Sequence, residues 1–344
     1  MQVKIVDIFG DCAGWDNYVE NHPEATVYHL SAWGRAVSCS MGHECYYMVV
    51  EDQGSICGLI PLIHIKSRLF GNSLISVAFA TGGGPLFDHR EALAALDAEC
   101  RALRESLAVD YLESRNREEI HDNWPSKKET YSVFRKILSP DNEKNLLAIP
   151  RKQRAMVRKG IKFGLKAVVD ELPDRLFSMY STSLRNLGSP VFPQKLFYCL
   201  KQEYGENCEI LTIETDHGKA ISSVMTFYFR DEVVPYYGGG NFEARRFAAN
   251  DFMYWSLMER AVAQRDCRIF DFGRSKNGTG AFSFKKNWGF EPRALNYEFI
   301  LKDGTQMPDI NPLNPKYQLM IKLWKKLPLP IANFVGPLIS RSLG

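Results

Sequence analysis

The chain has 344 residues, 45% of them hydrophobic and 24% charged, a balance that excludes disordered and fibrous classes and suits a folded globular protein. At about 100 to 200 residues per domain, two domains are expected. A net charge of +3 is too small to indicate a nucleic-acid partner by itself.

Residues 2–9 alternate as a strand. Helical patterns follow over 14–21 and 31–40, the second with Ser31 as its expected N-cap. Strand patterns occupy 45–51, 56–65 and 74–81, a helical period runs over 92–107, and 110–113 and 131–138 read as strands. The second half repeats the order. A strand at 165–169 precedes helices at 173–187 and 193–204, each with a proline near its start, where the missing N–H costs nothing. Strands at 209–214, 220–230 and 232–237, a helix at 251–264 and a short strand at 268–272 come next, and 297–301 ends the second sheet. The repeat is one of architecture, with no residue-level similarity. It predicts duplicated α/β units, each a mixed sheet flanked by helices, with a groove between or beside them.

The stretch SPDNEKNLLAIP at 139–150 reads as a connector. It divides the chain into an N-terminal domain at 1–140 and a C-terminal, catalytic domain at 141–302, with a tail at 303–344. From Lys316 the tail sets Leu319, Ile321, Leu323, Trp324 and Leu327 among Lys322, Lys325 and Lys326, broken by prolines. Such a segment either rests on an anionic membrane surface or packs as an arm on the globular body.

None of the eight cysteines forms a C-x-x-C pair, and most sit in apolar runs. They read as buried, reduced thiols of a cytoplasmic protein. No H-E-x-x-H or zinc-like spacing occurs, so no metal is expected. The N-terminus lacks a basic region followed by an apolar one, so no signal peptide is expected. No apolar run reaches the roughly 20 residues that span a bilayer.

The densest candidate cluster runs from Phe270 to Gly280, FDFGRSKNGTG, followed by FSFKKNWGF. A short strand ends there in glycines, cations and hydroxyls, beyond the carboxyl end of the strand, where open sheets bind ligands. Glycine lets backbone approach an anion, and Arg274 or Lys276, with Ser275 between them, suits phosphate. Gly273 and Gly278-Thr279 have P-loop spacing without its lysine, which excludes a Walker site. The same pattern also describes a tight turn in which Asp271 caps the backbone.

This run, with PYYGGGN at 235–241, NDFMYWSLMERA at 250–261, RKQRAMVRKG at 151–160 and LGSPVFP at 187–193, resembles the FemAB-type branch of the GNAT superfamily. More narrowly, it resembles the FemAB-related proteins of exosortase/PEP-CTERM exopolysaccharide loci, whose acetyltransferase domain is BioF2-like. The resemblance implies two GNAT-like domains. It implies that Phe284-Lys285 lines the acceptor site, with Lys285 countering charge that develops in acyl transfer. Tyr236 and Tyr237 are implied to lie where the central strand splays, as hydrogen-bond or proton partners of substrate. The acidic candidates are Asp271, Asp251 and Glu298, with no acid–base pair assigned among them, and Asn250 and Trp288 join the expected substrate contacts.

Coenzyme A-dependent relatives carry a glycine-containing pyrophosphate loop after that strand; residues 242–250 here read FEARRFAAN, with no glycine. The co-substrate is therefore either an acyl-CoA or an aminoacyl-tRNA. Arg151, Arg154, Arg158 and Lys162 share one helical face in a segment without acids. That face is expected to hold an anion: the donor's phosphates or a lipid-linked sugar acceptor. Thr81-Gly82-Gly83-Gly84-Pro85 is either a groove wall or a sheet-end turn. Three functions follow: an acyl- or aminoacyl-transferase acting on a cell-envelope or exopolysaccharide precursor, at the inner membrane or free in the cytoplasm; an acyl-CoA-dependent N-acyltransferase of a nucleotide sugar; and a non-catalytic interaction protein of an exopolysaccharide assembly.

Overall fold

The computed structural model describes residues 1–67, 70–308 and 315–344, with side chains from 318 onward in the last stretch. The tail residue Lys316, singled out from the sequence, has its side chain outside the described residues. Two compact units form. Unit 1 comprises Met1–Thr130, Ala294–Asn311 and Leu338–Gly344, and unit 2 comprises Tyr131–Arg293 and Pro312–Pro337.

Unit 1 opens with β1 (Gln2–Val6), α1 (Ala13–Asn21) and α2 (Ser31–Met41). Next come β2 (Glu44–Asp52), β3 (Ser55–Ser67), β4 (Gly71–Ser76) and β5 (Leu86–Phe87). The helix α3 (Arg90–Ser106), β6 (Tyr111–Asn116) and β7 (Ser126–Lys127) follow. α3 buries Leu93, Leu96, Cys100 and Leu103, spaced three or four apart on one face. Ser31 does not cap α2; it is the first helical residue, and its hydroxyl donates to Asp16 Oδ2 at 2.6 Å. The carboxylate from α1 does the capping instead, accepting the Ser31 N–H at 2.8 Å. The strand expected through 81 stops at Ser76, because Val77 and Phe79 adopt φ of 42° and 67° and leave the ladder.

Unit 2 opens with β8 (Tyr131–Ile137), α4 (Asn142–Ala148), α5 (Arg151–Lys162) and β9 (Lys166–Asp170). Then come α6 (Asp174–Leu187), α7 (Gln194–Tyr204), β10 (Cys208–Glu214), β11 (Ala220–Phe229) and β12 (Glu232–Gly240). The short α8 (Glu243–Phe247), α9 (Ala249–Arg265), β13 (Ile269–Lys276), α10 (Gly280–Asn287) and β14 (Pro292–Ala294) complete it. The chain ends with β15 (Asn296–Leu301), α11 (Pro315–Trp324) and α12 (Leu329–Ser340). The supposed connector holds α4, whose Asp141 accepts the Glu143 N–H at 2.9 Å. Its turn-like acid is an N-cap.

Both sheets are mixed. In unit 1 the order is β1-β2-β3-β4-β6-β15-β7, with β5 beside β3; in unit 2 it is β14-β8-β13-β12-β11-β10-β9. β4 pairs with β6 and β12 with β13 in parallel, the first pair joined through α3 and the second through α8 and α9. One exchange departs from the sequence reading. The strand at 131–138, read with the first half, pairs with β13 in the second sheet, and the strand at 297–301, read as ending the second sheet, pairs with β6 in the first. Alternating hydrophobicity sets which face a strand buries, not which neighbour it joins.

The core of unit 2 gathers Phe134, Leu211, Val224, Leu257, Phe270 and Trp288 between its sheet and α9. That of unit 1 gathers Met48, Leu62, Leu74, Leu96 and Leu112. Six cysteines are buried as expected; Cys45 is half-buried and Cys39, on the outer side of α2, is exposed.

Candidate functional site

The parallel pairing of β12 with β13 covers only Glu232↔Ile269 and Val233↔Phe270. Both strands continue beyond that point, to Gly240 and Lys276, without a ladder between them. Each is also bent there. β12 carries a bulge at Tyr236, between Pro235 and Tyr237, and β13 shifts register between Asp271 and Arg274, where Gly273 takes φ of 67°. A bulge adds local twist, and the β12–β13 ladder ends where both strands are bent.

A cavity of about 230 Å³ lies at this place. Gly238 and Gly239 of β12 and Phe272 of β13 line it, with Ser183 from α6, Asn250 and Tyr254 from α9, and Phe284 and Lys285 from α10. The glycines permit the close fit. A Cβ on Gly239 would stand 2.7 Å from the Met179 carbonyl oxygen and 2.9 Å from Ser183 Cβ. One on Gly240 would stand 3.1 Å from Asn250 Oδ1.

Lys285 reaches the cavity from α10, whose first turn is capped by Thr279 accepting the Phe282 N–H. The residue is half-buried overall, and its amine is the desolvated end. Nζ donates to the carbonyls of Gly273 at 3.0 Å and Arg274 at 2.9 Å, and sits 5.6 Å from the ring centres of Phe134 and Phe272. Burial pushes its pKa down to about 7, against the upward pull of Asp271, with Arg274 adding to the fall. Near neutrality the group is thus both ammonium and amine. On the same wall Asn250 Oδ1 is a buried acceptor with no hydrogen-bond partner. The cavity therefore offers a cationic donor and an open acceptor in a largely apolar lining.

Tyr237 is buried in an aromatic cluster with Tyr180, Phe192 and Phe197, its hydroxyl without a partner, and burial holds its pKa well above the ordinary phenol value. Tyr236 is half-buried, its ring 4.7 Å from that of Tyr237. Asp271 is buried; it accepts the Gly273 N–H at 2.8 Å and faces Arg135 at 3.5 Å. The capping turn and the cavity wall are thus one structure. Trp288 is fully buried and donates to Asp251 Oδ1 at 3.0 Å. Arg274 lies over the Tyr131 ring, Ser275 is buried with an unpartnered hydroxyl, and Lys276 is half-buried at the strand end. Of the expected set, Lys285, Phe284 and Asn250 line one cavity.

The basic face forms on α5 as the spacing predicts. Arg151, Arg158 and Lys162 are exposed, while Arg154 is half-buried and donates to the Leu147 carbonyl at 2.7 Å. α5 packs on α9, where a Cβ on Gly160 would stand 2.7 Å from Phe252 Cβ. Sequence reasoning missed Gly238, Gly239, Ser183 and Tyr254 as cavity walls. The glycine run after a strand was the available signal, because only glycine tolerates a helix packed so closely on a sheet.

Unit 1 holds a second, larger cavity of about 550 Å³, lined by Gly82, Gly84 and Pro85 with His22, Asp88 and Arg117 among others. The glycine run at 81–85 is therefore a cavity wall of its own unit. Gly84 is required there, since a Cβ would stand 2.0 Å from Asn116 Oδ1. Its carbonyl accepts from His29 Nε2 at 2.9 Å, and burial pushes the His29 pKa down to about 4.

Residues 148–286 match the family model described as an acetyltransferase (GNAT) domain. This span holds β12, β13 and the cavity between them. No curated protein matches the chain. Among solved structures, FemX superposes with a TM-score of 0.67 at 14% identity, covering 93% of this chain and all of that one. L-PGS from Bacillus licheniformis gives 0.57 at 13%, covering 97% of each chain. A tandem GNAT protein from the clavulanic acid biosynthesis pathway gives 0.56 at 12%, covering 87% and 98%. The fold is a tandem GNAT-like one, two mixed sheets flanked by helices, as in these structures.

Proposed function

We propose that unit 2 transfers an activated acyl or aminoacyl group to an amine or hydroxyl of a cell-envelope or exopolysaccharide precursor, and that the transfer takes place where β12 and β13 part. One observation carries this reading: a desolvated amine, Lys285, on the wall of a cavity at the place where the β12–β13 ladder ends. The acceptor class rests on the resemblance to the FemAB-type branch.

The chemistry follows from that wall. The acceptor's nitrogen or oxygen forms a bond to the donor's carbonyl carbon. The bond from that carbon to the donor's sulfur or oxygen breaks, and the acceptor's proton leaves with the departing thiol or hydroxyl. Negative charge builds on the carbonyl oxygen in between. An ammonium fixed by two backbone carbonyls meets that charge without having to reorganise, and the apolar lining strengthens the interaction. Asn250 Oδ1 supplies an acceptor that orients an N–H or O–H of the substrate.

An aminoacyl ester suits the turn between β12 and α9, where Ala248 at φ 55° stands in place of a glycine-rich pyrophosphate loop. The exposed cations of α5 suit the phosphates of either donor. Assays with radiolabelled aminoacyl-tRNA and acyl-CoA separate the two. In either, Lys285→Ala is expected to lower turnover by about 10²- to 10³-fold with the fold retained. Wild-type activity is expected to fall as pH rises through about 7, where Lys285 loses its proton. A folded Lys285→Ala chain with undiminished transfer overturns the assignment, and a chain that transfers neither group is a scaffold.

A further inference from the structure

Residues 315–344 contain four lysines and one arginine and no acid. Their two helices present apolar side chains outward. In α12, the small residues Ala332 and Gly336, four apart, are buried, while Ile331 and Phe334 stand exposed on the other side, Phe334 by 77%. Water selects the opposite arrangement, bulky side chains inward and small or polar ones outward. In α11, Leu319, Met320 and Leu323 are likewise exposed, and Lys322, Lys325 and Lys326 are exposed beside them.

Both helices are fixed to α6 and the segment after it. Gly188, at φ 84°, admits Ile321, whose Cγ2 would stand 2.6 Å from a Cβ there. Gly336 lies against Val191, and Asn333 Nδ2 donates to Ser181 Oγ at 3.4 Å. The anchoring contacts use the small or inward residues, so the outward apolar residues are not spent on holding the tail in place. The same helix α6 contributes Ser183 to the cavity wall.

We propose that the outward faces of α11 and α12 dock unit 2 on an anionic lipid bilayer. Among the described residues no helix is long and apolar enough to cross a membrane, so the surface lies on the bilayer rather than through it. Exposed apolar residues bordered by lysines and free of acids fit an interface of acyl chains beneath anionic headgroups. A second copy of the chain fits less well, because an isologous contact would bring the two lysine clusters together. The proposal is independent of the acyl-transfer reading, since it concerns a surface with no residue in the cavity.

Sedimentation of the full chain with phosphatidylcholine vesicles, with and without phosphatidylglycerol, tests it. Binding is expected with phosphatidylglycerol only, weakening as salt is added. Ile331→Asp with Phe334→Asp is expected to weaken it at least about tenfold, and each of Lys322→Gln, Lys325→Gln and Lys326→Gln by about fivefold. These positions are exposed, so circular dichroism should be unchanged. Failure to sediment with anionic vesicles overturns the proposal, as does equal binding by the variants. A solution dimer that Phe334→Asp dissolves also overturns it, by showing a second copy on this face.

Discussion

Two buried cations show how environment, not residue type, sets charge in this chain. Lys285 is surrounded by carbonyls and rings, and burial carries its pKa down to about 7. His121 lies between Glu298 at 2.6 Å and Asp97 at 3.0 Å. Burial is its largest single influence and acts downward, but the hydrogen bonds and charges of those two carboxylates together outweigh it, raising the pKa to about 9. A raised folded-state value means that the imidazolium stabilises unit 1. That contribution is complete below about pH 6.5, the unfolded value, and is lost as pH rises through about 9. Urea denaturation across that window is expected to show falling stability in the wild type and a flatter profile in His121→Gln. Neither environment is legible in the sequence. Lys285 was reachable through the resemblance of its flanking motif, whereas the partners of His121 lie 24 and 177 residues away in the chain.

At the scale of elements, the site depends on how closely α6 approaches β12. Gly239 makes that approach possible, and Gly239→Ala would press a methyl group against the Met179 carbonyl, Ser183 and Tyr180. The substitution is expected to cost about 1–3 kcal/mol, read from the midpoint of chemical denaturation. Most helices and strands were legible because their apolar period is strong, as in α3 and β10. The limits of β4 were not, because they depend on positive φ at Val77 and Phe79, which carry no glycine to announce them. α4 was hidden because its capping aspartate looks like a turn residue. The bulges beside the cavity left only an indirect trace, in the glycines at 238–240.

At the scale of the whole molecule, the duplicated order of elements was readable, and both sheets repeat it strand for strand. β1-β2-β3-β4-β6 in one corresponds to β9-β10-β11-β12-β13 in the other, each followed by an antiparallel neighbour. That last neighbour comes in each case from the other half of the chain order, β15 beside β6 and β8 beside β13. Strand pairing over long sequence separation is decided by competing edges rather than by local pattern, so β8 and β15 could not be distributed from their own residues. The functional reading rests on one feature of this architecture, the parting of β12 from β13 beside Lys285. The most direct measurement is a crystal structure of the chain soaked with an acyl-CoA and, separately, with an aminoacyl ester analogue of a tRNA end. The account predicts the acyl carbonyl of one of them in the unit 2 cavity, within hydrogen-bond reach of Lys285 Nζ. Both compounds absent from that cavity, or bound elsewhere such as the cavity of unit 1, would contradict it.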